Sequence, residues 1–186
     1  ILIYTGYSST FITREYGVLS GYVMPILLLP SFFTSAISNA LLPVISKDYS
    51  NNRYTSIIKK LRLAIFLSLL IGGVFMATAI IIPDILLKVI YNTTQGVNYM
   101  RFLAPICLFQ YIQSPLLFCL EAIGKSKDVM IASFLGIGIR TGLLVLFSLF
   151  KIGIWGLIFS ISINVLSTTF YVIMKVRKYL IVKKKE

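Results

Sequence analysis

Arg140 is a charged residue in the middle of a long apolar run, the twelfth of the 22 residues in Val129–Phe150. An arginine at the centre of a membrane helix costs about 2.5–3.5 kcal/mol on insertion scales, so by default it marks a function. Its guanidinium is a planar fork of donors that matches a phosphate or a carboxylate. No acid of this sequence is placed to pair with it. Glu15, Asp48, Asp84, Glu121, Asp128 and Glu186 all lie in loops or at helix ends, and the 11 residues from Val129 to Arg140 span roughly 16 Å of helix. Several partners therefore stay open. They are a residue outside this sequence, the amides of Gln110 and Gln113 with carbonyls freed by proline, an anionic ligand, or interfacial water reached by snorkelling. With Glu121 and Asn164, the same two glutamines are the other polar candidates for the interior, of types that more often join helices than touch cargo.

Prolines supply a second kind of candidate. Pro25 and Pro30 sit inside an apolar segment and Pro43 near its end; each removes a backbone donor and frees the carbonyl four residues earlier, at Gly21, Ile26 and Asn39. In lipid those carbonyls need partners, so the broken part is expected to face the bundle interior or a cavity. Ser31, Ser35 and Ser38 share a face of the same segment, with Thr34 and Asn39 beside it. Such a helix suits either a hinge that lines a pathway, with Pro25 and Pro30 as the bending points, or a bend that only improves packing.

Other chemistries are excluded or unsupported. There is no histidine, which removes HExxH zinc proteases, Ser-His intramembrane proteases and His-dependent acyltransferases. Cys107 and Cys119 fall in one apolar run and read as buried apolar residues rather than a metal site or a disulfide. Gly124-Lys125-Ser126 lacks the leading glycine and the strand of a phosphate-binding loop. Asn92-Thr93-Thr94 fits a glycosylation sequon, which matters only in a eukaryotic secretory route. No enzyme, metal site or cofactor is expected, and energy for any transport must come from an ion, voltage or substrate gradient.

The elements that hold these residues follow from composition. The 186 residues are 58% hydrophobic and 13% charged, against roughly 45–50% apolar and about 25% charged in a soluble domain. About 20 apolar residues cross a bilayer as a helix. Five segments qualify: 17–46, 63–82, 102–120, 129–150 and 152–174. The fold class is all-α, a polytopic transmembrane bundle. The net charge of +12 resembles that of a nucleic-acid binder, but the cations interrupt apolar runs and read as topology signals instead. Lys47, Arg53, Lys59, Lys60, Arg62, Lys125, Lys127, Lys175, Arg177, Lys178, Lys183, Lys184 and Lys185 gather on one side, and only Arg14, Lys88, Arg101 and Lys151 on the other. That places the C-terminus in the cytoplasm and residue 1 outside. The link 47–62 carries Tyr54, Ile57, Ile58 and Leu61 at helical spacing, which predicts either a helix lying on the inner membrane surface or a solvated loop. Because the sequence opens at Ile1 with no basic leader, it is expected to be part of a longer protein.

With the segments in place, a resemblance emerges. EYGVLSGYVMPILLLPSFFTSAISNALLPVIS (Glu15–Ser46), then a basic link and LRLAIFLSLLIGGV, resembles the eighth and ninth helices of the stage V sporulation protein B group, bacterial polysaccharide and lipid-linked oligosaccharide exporters of the MATE-like superfamily. RFLAPICLFQYIQSPLLFCLEAIGKSKD (Arg101–Asp128) is similar to the tenth helix of that family. The resemblance implies two six-helix bundles that open alternately to each side, with residues 1–186 as the C-terminal bundle, or second lobe, and an N-terminal bundle as its missing partner. It implies a flippase of a bacterial inner membrane, moving an anionic lipid-linked glycan or peptidoglycan precursor by alternating access. The alternatives are a cation-coupled multidrug or metabolite exporter of the same fold and a non-transporting membrane subunit. The lipid bilayer is an expected partner; nucleic acid is not. Arg140, Gln110, Gln113 and Asn164 are the expected cavity residues.

Overall fold

The computed structural model describes residues 9–150 and 152–182, so the expectations that concern Ile1, Lys151, Lys183, Lys184, Lys185 and Glu186 fall outside the described residues. Among the described residues the regular structure is helical: α1 (Ser9–Gly17), α2 (Met24–Ser50), α3 (Tyr54–Ile81), α4 (Pro83–Tyr91), α5 (Val97–Ala122), α6 (Ser126–Leu149) and α7 (Ile154–Arg177). Five stretches, Thr10–Ser50, Tyr54–Ile81, Val97–Ala122, Ser126–Leu149 and Ile154–Leu180, are long and apolar enough to cross a membrane. The molecule is a polytopic transmembrane bundle whose outer surface is apolar, with Phe32, Phe33, Phe66, Phe134 and Phe170 exposed.

α1 and α2 form one rod interrupted by a π-helical segment, Val18–Val23. It ends where the Met24 N–H reaches back to the Leu19 carbonyl, one residue beyond the α pattern. The next residue is Pro25, which has no N–H and crowds the preceding turn; a widened turn relieves that crowding. Pro30 is buried, whereas Pro25 and Pro43 are exposed. Five residues turn a helix by about 140°, so two prolines at that spacing do not share a face. Pro30 thus faces the interior of this bundle, and Pro25 and Pro43 face its surface.

The link 47–62 is neither a separate surface helix nor a loop. α2 continues to Ser50, Asn51–Arg53 makes the turn with Asn52 at φ 55°, and Tyr54 opens the unbroken α3. The predicted helical stripe is real but packs inward: Ile57 and Leu61 are buried in a cluster with Ile45, Leu116 and Leu120.

α5 is the hub, packing on α2, α3 and α7, while α6 packs almost wholly on α7. One end of the bundle holds the cluster of Ile45, Ile57, Leu120, Ile123 and Val176. The other joins Leu19, Val23, Leu87, Met100 and Ile154, and includes the short α4.

Candidate functional site

The polar face of α2 meets α5. Ser35 Oγ lies 3.4 Å from Ser114 Oγ, which in turn donates to Ser38 Oγ at 3.3 Å. Thr34 and Ser38 are buried and bond back to carbonyls of their own helix, those of Ser31 and Thr34. One α-helical turn is 3.6 residues, which is why 35 and 38 both come round to the side facing α5. Ser31 also bonds the Leu28 carbonyl.

Just beyond this hydroxyl row, the fully buried Tyr111 of α5 donates its hydroxyl to the Leu27 carbonyl of α2. Its ring rests on Gly72 of α3, where any Cβ would run into it. Three helices meet at this side chain, three residues before Pro30. Sequence reasoning passed it over because a tyrosine in an apolar helix carries no signal; the paired glycine Gly72-Gly73 was the available hint.

The two glutamines lie on another side of α5. Both are half-buried, and Gln113 Oε1 is enclosed without a hydrogen-bond partner among the described residues; Ser68 Oγ of α3 is in the same condition. Such an acceptor costs free energy unless something completes it. α5 also contains Pro105 and Pro115, two helix-interior prolines beyond those singled out in the sequence.

Arg140 projects from α6 and is exposed, with no ion pair to a described residue. It lies one turn beyond Gly136, at which a Cβ would come within 2.6 Å of Asn164 Oδ1 and 2.8 Å of Thr168 on α7. Arg140 and the half-buried Asn164 are therefore near each other in height along the α6–α7 seam. The GxxxG of Gly138 and Gly142 faces open space, with nothing within 4 Å. The glycine that admits close packing is Gly136, outside that motif.

Acids occupy the helix ends. Asp48 binds Lys60 Nζ at 2.6 Å and accepts from Ser56 at 2.7 Å. Asp128 binds Lys175 Nζ at 2.7 Å and accepts from Tyr179 at 2.8 Å and Tyr171 at 3.4 Å. Both carboxyls lie outside the apolar runs 17–46 and 129–150. Cys107 and Cys119 are buried and unpaired. No cluster of His, Cys, Asp or Glu suited to a metal is found among the described residues.

Comparison with known proteins agrees with this architecture. The family model described as MatE matches residues 19–146. Stage V sporulation protein B of Bacillus subtilis (strain 168) is 32% identical over 143 residues, covering 77% of this chain and 28% of that protein. Sporulation protein YkvU of the same organism is 26% identical over 127 residues, covering 68% of this chain and 28% of its own length. The chain thus spans 28% of the length of each relative. No solved structure matches it significantly.

Proposed function

Because the chain belongs to the MatE family, we propose that it is the C-terminal transmembrane bundle of a two-bundle bacterial transporter that moves an anionic lipid-linked glycan precursor outward across the inner membrane. The family match over residues 19–146 carries this reading, and the similarity to a sporulation protein B supports the flippase branch over a drug exporter. The protein acts as a carrier and not as an enzyme. In it the C-terminus is cytoplasmic and residue 1 external.

In mechanism, the two bundles rock about a central cavity. α2 bends at Pro25 and Pro30. Arg140 presents its fork to the phosphate groups of the cargo, and the amides of Gln110, Gln113 and Asn164 complete the polar path. The unpartnered Gln113 Oε1 and the exposed, unpaired Arg140 support this assignment, since each lacks a partner that a cargo or the other bundle supplies. A cation-coupled exporter is less well supported: the two carboxylates buried among the described residues, Asp48 and Asp128, are engaged by Lys60 and Lys175 at the helix ends.

The test is complementation. In the full-length protein Arg140→Ala should abolish rescue of a deletion strain while membrane insertion stays normal, and Arg140→Lys should restore part of it. Full rescue by the alanine variant would contradict the site.

A further inference from the structure

At the end of the bundle opposite Asp48 and Asp128, a cavity of about 330 Å³ opens between the first turns of the rod, the loop before α5 and the start of α7. Its working lining is Arg14, Glu15, Gln95, Asn98, Tyr99 and Trp155. That volume is at the lower limit of small-ligand pockets. The transport mechanism proposed above uses none of these residues.

The geometry points to a binding site for one neutral saccharide unit. The first reason is charge: the lining holds one cation and one anion, Arg14 and Glu15, so it favours a ligand without net charge. The second is hydrogen-bond capacity. Tyr99 Oη donates to Glu15 Oε2, which fixes the carboxylate and leaves its other oxygen as an acceptor. The amides of Gln95 and Asn98 each offer donors and an acceptor, and both residues are exposed. Gly96, at φ 93°, starts α5 without a side-chain cap, and it lines the cavity together with the first residues of α5. The third is the aromatic wall. Trp155 is half-exposed and held edge-on by Tyr99 at 5.5 Å and Phe102 at 5.6 Å, a rigid platform for the C–H face of a sugar ring. Alternating hydroxyls and an apolar C–H face on one small neutral body describe a pyranose. A free phosphate would instead face the Glu15 carboxylate.

The placement of this cavity on the outer side of the membrane rests on the orientation proposed above; the ligand chemistry does not. If both hold, the site receives the head of a cargo as it leaves or rebinds a glycan already outside.

The experiment is equilibrium binding of cellobiose to the full-length protein in lipid nanodiscs, read by saturation-transfer NMR, with inorganic phosphate as competitor. The wild type should saturate, with transfer strongest to ring C–H protons. Asn98→Ala, at an exposed position that leaves the fold intact, should weaken binding about fivefold, the loss of one hydrogen bond; Trp155→Leu should weaken it further. Absence of saturable binding, equal binding by wild type and both variants, or displacement by phosphate would each overturn the saccharide site. Because the readout is binding, a protein that binds cellobiose at this site but translocates nothing refutes the transport reading and leaves this one standing.

Discussion

Tyr111 joins three helices through one side chain: its hydroxyl goes to the Leu27 carbonyl of α2, and its ring to the gap that Gly72 leaves in α3. The acceptor lies beside Ile26, whose carbonyl Pro30 strips of its usual donor, so the hydrogen bond falls where α2 is weakest. Tyr111→Phe keeps the ring and removes the bond. We expect it to destabilise the full-length protein in detergent by about 0.5–1.5 kcal/mol, within the range for interhelical hydrogen bonds. Gly72→Ala should cost more, because the ring must leave its seat; thermal unfolding of both variants checks the order, and a neutral Gly72→Ala would contradict the packing. Arg140 is the opposite case. Its position alone makes it a candidate, because a central arginine in a 22-residue apolar run is costly wherever its partner lies. Tyr111 was not legible in that way, because its role depends on a glycine 39 positions away.

Elements were legible where apolar length decides them, and less so at their ends. Five apolar runs became five long helices, but the ends moved by between one and nine residues: Tyr54–Ile81 starts nine residues before its run because helical hydrogen bonding continues through the polar and basic residues that precede it. α4 escaped notice, although Pro83 at its start, Asp84 in its first turn and the left-handed Asn92 at its end form a recognisable set of start and stop signals. The α6–α7 pair tests the packing account. α6 rests on α7 through Gly136 against Asn164 and Thr168, Phe147 against Gly156, and the Asp128–Lys175 ion pair, among other contacts. Gly136→Leu should detach α6 and lower the melting temperature more than Gly138→Leu, which faces open space; equal effects would contradict the seam. Asp128→Asn should also lower the melting temperature, because it takes the charged partner from Lys175; an unchanged value would contradict a structural role for that ion pair.

At the scale of the whole molecule, a chain that is 58% hydrophobic with a net charge of +12 looks contradictory until each cation has a place. The described cations lie at the helix ends, where Lys60, Lys175 and Arg101 pair with acids, and Arg140 is the exception inside the apolar span. Fold class was readable because membrane helices must satisfy their own backbone and advertise themselves by length. The candidate site is less accessible to such reasoning, because in the transporter proposed above the cavity is shared with a second bundle, and this chain covers 28% of the length of each relative. The central claim is that Arg140 serves cargo movement rather than stability. Full-length protein in proteoliposomes, supplied with a fluorescent lipid-linked saccharide pyrophosphate on one leaflet, tests it most directly. Wild type should carry the label to the opposite leaflet, and Arg140→Ala should lose that movement while melting within a few degrees of wild type; undiminished movement by Arg140→Ala, or none by wild type, would contradict the account.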